Sequence, residues 1–217
     1  MLDPLGTHAT GTCAHGLHLA RHNAVVKVIR NFLDDWNVPS SRETPHLFGS
    51  GDKRKPADIA IDGLLGPNRT ALDVVVVTPT CPSYVAGAAL VKGDASYKKE
   101  KKKYDRYAES CHLHDLDFIP IPIESYGLVS PAGAHALHQI VKLALTTINR
   151  EAIDSALKVQ LRYLKQRISV CLVRENANMI LFCAGRRTAD PNLIIDPLEP
   201  EDLLRDAVSF VPDIANL

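Results

Sequence analysis

Two aspartates on neighbouring predicted strands are the residues best suited to chemistry. Asp58 begins the alternating segment Asp-Ile-Ala-Ile-Asp, and Asp73 stands inside Ala-Leu-Asp-Val-Val-Val-Val. Asp is depleted in strands, and a charge within a run of valines is costly unless something neutralises it. A solvated strand end for Asp58 and a buried ion pair for Asp73 are the structural alternatives. A divalent cation held by both carboxylates accounts for both residues, and such oxygen ligands suit Mg²⁺ or Mn²⁺.

A basic segment follows the second aspartate. Between Lys92 and Arg106, seven basic side chains stand against three acidic ones. A lysine from the Lys98–Lys103 cluster could complete a site for phosphodiester hydrolysis by orienting water or stabilising developing charge beside the metal. The remaining lysines could contact DNA phosphates or form an ordinary solvated helix face. The predicted DNA-contacting residues are Lys53, Arg54, Lys55, Lys99, Lys102 and Arg106.

The spacing of apolar residues predicts the elements that must position these side chains. An apolar stripe from Val25 to Trp36 recurs at helical spacing, and residues 40–55 have loop composition. Strands are predicted over Asp58–Asp62 and Thr70–Val77, joined by a short turn and therefore antiparallel. A long basic helix is predicted over residues 84–112, and residues 1–16 are predicted to be loop.

The second half of the chain is predicted to be one more strand followed by helices. Phe118–Ile123 contains two prolines, which lack a ladder donor, so the strand should lie at a sheet edge. Helices are predicted over 131–148 and 151–167, and residues 168–185 favour helix over strand. A hairpin, a crossover helix and another strand predict an α/β fold with a mixed sheet and helices on its faces.

Composition sets broad limits on the class of protein. The 217 residues suit one domain with a helical extension, and the formal net charge of zero averages a basic centre against an acidic C-terminal segment. No apolar run is long enough to span a bilayer, and no signal peptide is recognisable. Five scattered cysteines without a CxxC pair indicate reduced thiols and an intracellular protein, and no histidine spacing favours a cysteine nucleophile.

A series of short motifs occurs in a defined order over residues 8–185. They are Arg21-His22-Asn23, Arg54-Lys55-Pro56-Ala57-Asp58, Asp73-Val74-Val75-Val76, Lys103-Tyr-Asp-Arg106-Tyr107, Phe118-Ile-Pro120, Glu124-Ser-Tyr-Gly127 and Gln166-Arg167-Ile168-Ser169-Val170 with Asn176-Ala177. Their order and spacing resemble the restriction-like PD-(D/E)xK endonuclease region at the C-terminal end of reverse transcriptases from non-LTR retrotransposons. Each motif is short, and the resemblance depends on all of them together.

The resemblance implies metal-dependent nicking of target DNA that primes reverse transcription. It implies that Asp58 and Asp73 bind Mg²⁺ or Mn²⁺. The general motif has a lysine two residues after its second acid, where this chain has Val75. The resemblance therefore assigns that role to Lys103, or to Lys102 if the register differs by one. DNA is the implied partner, with RNA of the parent element as another, and a nuclear location is expected.

Further residues could bind metal. Glu43 could add a ligand to the aspartate pair or be a loop charge. His8 and Cys13 have the spacing of the last two ligands of a CCHC zinc knuckle, which the family often has upstream. Two ligands do not make a structural zinc site, so we do not expect zinc. The residues that could substitute for the missing ligands are His15, His18 and His22.

The predicted organisation has four segments. They are a remnant of a zinc-knuckle-like segment (1–16), a restriction-endonuclease-like core (17–130), C-terminal helices (131–185) and an acidic, proline-containing tail (186–217). The incomplete knuckle and the lack of a polymerase domain point to a fragment or a degenerate copy, whose fold could outlast its activity. The alternatives to an endonuclease are a non-catalytic nucleic-acid-binding remnant and a plain α/β scaffold in which a lysine pairs with Asp73.

Overall fold

A four-stranded sheet, with its strands in chain order, forms the centre of the molecule. The structure is a computed structural model, and it describes residues 7–11, 16–42, 48, 56–147 and 153–183. The helices are α1 (Thr7–Gly11), α2 (Leu17–Asp35), α3 (Val85–Leu90), α4 (Asp94–His112), α5 (Pro131–Ala144) and α6 (Ile153–Cys183), with a 3-10 turn at Leu145–Thr147. The strands are β1 (Ser40–Arg42), β2 (Ile59–Asp62), β3 (Arg69–Val77) and β4 (Leu116–Glu124).

The sheet is mixed, as the sequence predicts. Strands β1, β2 and β3 pair antiparallel, whereas β3 and β4 are parallel and are joined by the crossover that contains α3 and α4. Helices α2, α4 and α5 pack against the sheet, and α6 packs against α2 and α5. The expected class, an α/β fold with a mixed sheet flanked by helices, is therefore confirmed.

Alternation along the strands separates two hydrophobic clusters. Leu72 and Val74 of β3 belong to the larger cluster, which they share with α2, α5 and α6. Ala71 belongs to the smaller cluster, with Tyr107 and Cys111 of α4. Because successive side chains of a strand point to opposite faces, Asp73 shares the face of Ala71, toward α4. The strand thus places Leu72 and Val74 on the face of the larger cluster and Asp73 on the face toward α4.

Strand β4 lies at the edge of the sheet, as its prolines predict. Pro120 and Pro122 stand opposite Asp73 and Val75 in the parallel register. The carbonyl of Pro122 accepts from the Ser130 N–H at 2.9 Å, which shows that Pro122 faces away from β3. The missing proline donors therefore fall on the outer side of the strand, where they cost no ladder hydrogen bond.

Several predicted elements differ from the structure. The basic helix predicted over 84–112 is wrong as a single element, because it divides into α3 and α4 at Gly93, whose φ of +84° is strained for other residues. The predicted loops over 1–16 and 40–55 contain the short helix α1 and the short strand β1. Conversely, residues 153–183 form one continuous helix. No helix among the described residues is long and apolar enough to span a membrane.

Candidate functional site

Asp58 and Asp73 are neighbours at one end of the β2–β3 hairpin. The antiparallel register ends at the pair Ile59 and Leu72, and Asp58 and Asp73 are the next residues along the two segments. The Asp58 N–H donates to the Leu72 carbonyl at 2.9 Å, and the Val74 N–H donates to Asp58 Oδ2 at 2.8 Å. Asp58 therefore contacts the backbone on both sides of Asp73. The predicted juxtaposition of the two carboxylates is present.

Lys103 reaches the same point from helix α4. Its Nζ lies 2.7 Å from Asp73 Oδ2, while the lysine side chain is 24% exposed and that of Asp73 is 9% exposed. Lys102, the alternative from the sequence, is exposed on the same helix. Of the two lysines, the structure brings Lys103 to the carboxylates. Lys103 Nζ also lies 5.6 Å from the ring centroid of Tyr107, which packs beneath it.

The electrostatics of Asp73 are unusual for a carboxylate with a lysine partner. Burial raises the pKa of Asp73 to about 6, and the nearby carboxylate of Asp58 pushes the pKa in the same direction. The positive charges of Lys103 and His22 act in the opposite direction without cancelling the effect of burial. Like charges opposite each other on paired strands are unfavourable. One lysine therefore does not fully compensate the two acids.

His22, at the beginning of α2, is the third polar group of the site. Its Nε2 lies 3.1 Å from Asp58 Oδ1, and its side chain is 21% exposed. In the sequence, His22 was noted as part of the Arg21-His22-Asn23 motif and as a possible substitute zinc ligand. No role beside the aspartates was predicted for it. A signal was present, because Arg21 and His22 precede Val25 by four and three residues and so extend the buried stripe of the helix. Polar residues at such positions need partners.

Arg21 is the buried neighbour of His22 and joins several elements. It is 2% exposed. Its guanidinium donates to Asn176 Oδ1 at 2.8 Å, to Thr78 Oγ1 at 3.2 Å and to the Thr10 carbonyl at 3.3 Å. Burial lowers the pKa of Arg21. Arg21 therefore connects α1, α2, α6 and the residue after β3, and so fixes the segment of α2 that carries His22.

Helix α4 is anchored at its beginning by a buried carboxylate from the neighbouring strand. Glu124, the last residue of β4, is 7% exposed, and its Oε1 accepts from the Ser96 N–H at 3.3 Å. A carboxylate at a helix N-terminus satisfies an otherwise unpaired N–H and interacts favourably with the helix dipole. This contact helps to set the position of α4 over the sheet, and therefore where Lys103 lies.

The two carboxylates are the side chains of this site that could bind a divalent cation. Among the residues that the structure describes, no three His, Cys, Asp or Glu side chains form a group that could hold a metal ion. Mg²⁺ is usually bound by one or two carboxylates, with water and substrate phosphates as its remaining ligands. The raised pKa of Asp73 and the proximity of Asp58 are consistent with a site that lacks positive charge.

The other predicted site residues have no contact with the two aspartates in the described structure or lie outside the described residues. Lys99 is partly buried, with Nζ 6.0 Å from the Tyr84 ring centroid, and Lys102 and Arg106 are exposed on α4. Lys102 and Arg106 are therefore accessible to a polyanion. Several predicted site residues lie outside the described part of the chain, namely Cys13, Glu43, Lys53, Arg54 and Lys55. The side chain of His8 is also outside it.

Of the three histidines considered as substitute zinc ligands, two lie in the described part of the chain. His22 contacts Asp58, His18 is exposed one turn earlier on the helix, and His15 lies outside the described residues. No model of a protein family matches the chain, and comparison with curated proteins found no similar sequence.

Proposed function

We propose that the chain is a metal-dependent DNA endonuclease of the PD-(D/E)xK type, with the restriction-endonuclease-like fold. In this proposal Asp58 and Asp73 hold Mg²⁺ or Mn²⁺, and Lys103 is the lysine of the site. The observation that supports it best is the meeting of these three side chains, with Lys103 Nζ 2.7 Å from Asp73 Oδ2. The motif order shared with the endonuclease region of non-LTR retrotransposon reverse transcriptases supports the same reaction and DNA as its substrate.

The roles of the residues follow from their geometry. A divalent cation bound by the two carboxylates would polarise a phosphodiester and lower the pKa of a water molecule. Asp58 is held by a backbone N–H and by His22, so its orientation is fixed before any ligand arrives. Lys103 neutralises Asp73 in the absence of the cation. With a cation held by that carboxylate, the ammonium of Lys103 would be placed to stabilise charge on a phosphate oxygen.

The basic face of α4 supplies a surface for the rest of the substrate. Lys102 and Arg106 are exposed on the helix that carries Lys103. Contacts of this kind to phosphates give affinity and register without reading sequence. They would hold the DNA backbone beside the aspartates.

A non-catalytic role is the second candidate, and one observation favours it. The Lys103–Asp73 ion pair is also the contact expected of a plain scaffold or a nucleic-acid-binding remnant. A structural ion pair, however, gives no reason for a second carboxylate beside the first. Asp58 therefore makes the enzyme the better proposal.

Nicking of supercoiled plasmid by the purified chain with Mg²⁺ or Mn²⁺ tests the proposal. We expect nicking that EDTA abolishes and that Asp58→Ala and Asp73→Ala each reduce by at least about 100-fold, since each removes a ligand and its charge. Asp62→Ala is the matched control, because Asp62 is an exposed acid at the other end of β2. Lys103→Ala should reduce nicking strongly, whereas Lys102→Ala should weaken only DNA binding.

The other results separate the alternatives. Salt-sensitive DNA binding without nicking by the unmodified chain would favour the non-catalytic remnant. The absence of both would leave the scaffold. Nicking that survives Asp73→Ala would place the activity elsewhere and contradict the assignment of the site.

A further inference from the structure

His22 is the one described side chain other than Lys103 that makes a polar contact with either aspartate's carboxylate in the structure. It belongs to a different helix from Lys103 and approaches the pair from α2, whereas Lys103 approaches from α4. The two basic side chains are divided between the acids, since Lys103 contacts Asp73 and His22 contacts Asp58. This division is the starting point of an inference that rests on the proposed metal site and extends it to another residue.

Both oxygens of Asp58 have a donor. The Val74 N–H occupies Oδ2 at 2.8 Å, and His22 Nε2 lies 3.1 Å from Oδ1. An ionised carboxylate only accepts hydrogen bonds, so Nε2 carries the hydrogen when Asp58 is ionised. Because one donor belongs to strand β3 and the other to helix α2, the carboxylate is held from two directions. Each oxygen keeps a lone pair for a further ligand.

The same contact argues against Nε2 of His22 as a direct ligand. A nitrogen that carries a hydrogen has no lone pair for a metal ion. The described histidine and acidic side chains also do not form a three-membered group able to hold a metal, which a direct role for His22 beside the two aspartates would require. A role through Asp58 is consistent with both observations.

We propose that His22 is a positioning residue, which fixes the carboxylate of Asp58 for a divalent cation by donating from Nε2 to Oδ1. Without this hydrogen bond, Asp58, whose side chain is 18% exposed, can rotate about its side-chain bonds and make other contacts. Groups that hydrogen-bond to metal ligands fix ligand orientation, and their loss costs about 10- to 100-fold in metal affinity. Arg21, buried beside His22, holds this part of α2 in place.

Binding of Mn²⁺ to the full chain, followed by the loss of the electron paramagnetic resonance signal of the free ion, tests the role without DNA or cleavage. We expect His22→Ala to weaken Mn²⁺ binding by about 10- to 100-fold. His22→Gln should restore most of the affinity, because the amide can donate to Asp58. His18→Ala is the matched control, since it removes an exposed histidine one turn earlier, and it should bind as the unmodified chain does.

The outcomes distinguish this inference from the proposed function. If the unmodified chain binds no Mn²⁺, or if Asp58→Ala and Asp73→Ala bind it equally well, the metal site itself is wrong and the role of His22 falls with it. If binding depends on the aspartates and His22→Ala leaves it unchanged, only the role of His22 is overturned. If His22→Gln binds as weakly as His22→Ala while Tm is unchanged, positioning by hydrogen bonding is likewise overturned.

Discussion

Asp73 is a residue whose charge opposes folding. Its pKa of about 6 in the folded chain lies above the ordinary value of 3.8, because burial penalises the carboxylate more than Lys103 stabilises it. The folded state therefore binds more protons between pH 4 and 6, and the contribution of Asp73 to stability falls as pH rises through that range. The corresponding cost above pH 6 is roughly 2–3 kcal/mol.

Asp73→Asn should therefore stabilise the chain where the carboxylate is ionised. In thermal unfolding without divalent cations, we expect Tm of the variant to exceed that of the unmodified chain at pH 8, and the difference to shrink toward pH 4. Asp62→Asn, at an exposed position of the same hairpin, should show no such pH-dependent difference. A variant less stable at pH 8 would mean that the Lys103 ion pair contributes more than burial costs.

Sequence reasoning identified the acids and the lysine more readily than the residues that hold them. An aspartate within a valine strand is conspicuous without a structure, and the resemblance favoured Lys103 over Lys102. His22 was not assigned to the aspartates, because its partner is 36 residues away and the pairing depends on how α2 packs. Glu124 was seen only as part of a short motif, for the same reason.

At the scale of elements, Arg21 joins helices that are distant in sequence. Its partner Asn176 lies 155 residues away, and the Asn176 side-chain amide also donates to the Ser125 carbonyl at 2.8 Å. No carboxylate among the described residues lies within ion-pair distance of Arg21. The buried cation is therefore held by neutral acceptors. If Arg21 is replaced, Asn176 Oδ1 and Thr78 Oγ1 lose its donor, whereas the Thr10 carbonyl keeps the Thr78 hydroxyl at 3.1 Å.

Arg21→Met should destabilise the chain by roughly 2–4 kcal/mol, because buried acceptors are left unpaired. Denaturant unfolding measures this change, and hydrogen exchange should show faster exchange around Asn176 on α6. Arg167→Met is the matched control. It removes a 2.8 Å ion pair between α6 and the half-exposed Asp35, and it should cost less than about 1 kcal/mol. Equal effects of the two substitutions would contradict a special role for Arg21.

The elements themselves could largely be predicted, and the errors have physical causes. Periodicity gave α2, because burial imposes a repeat on a long helix, while the run of valines gave β3 and the prolines gave the edge position of β4. The break at Gly93 was missed, because a glycine within a basic segment is compatible with a continuous helix until its positive φ is known. Strand β1 has three residues, too few to show alternation, and it is recognisable only by its pairing with β2.

At the scale of the whole molecule, the zero net charge combines regions of opposite sign. The chain from residue 190 to its end has seven acidic residues and one arginine, so the remaining 189 residues carry a net charge of +6. If the basic side chains of α4 bind DNA as proposed, an acidic segment of the same chain would repel phosphates and compete for those side chains.

A chain that ends at residue 189 should therefore bind DNA more tightly than the full chain at low salt. The gain should decrease as salt increases, because screening weakens both the repulsion and the competition. Fluorescence anisotropy over a range of salt concentrations measures both. A full-length variant whose seven acids are replaced by Asn or Gln should behave like the shortened chain. If only the shortened chain gains affinity, the effect comes from length and not from charge.

The prolines of β4 also bear on how copies of the chain behave when crowded together. If the proposed function is right, copies bound along one DNA molecule would bring their sheets close to one another, and an open edge with free N–H groups could template cross-β aggregation. Pro120 and Pro122 remove donors from the outer side of β4, and Ser130 occupies the Pro122 carbonyl. At the opposite margin, β1 is only three residues long. We therefore expect that many copies of the chain can lie close together on one DNA molecule without a sheet extending from one copy into the next.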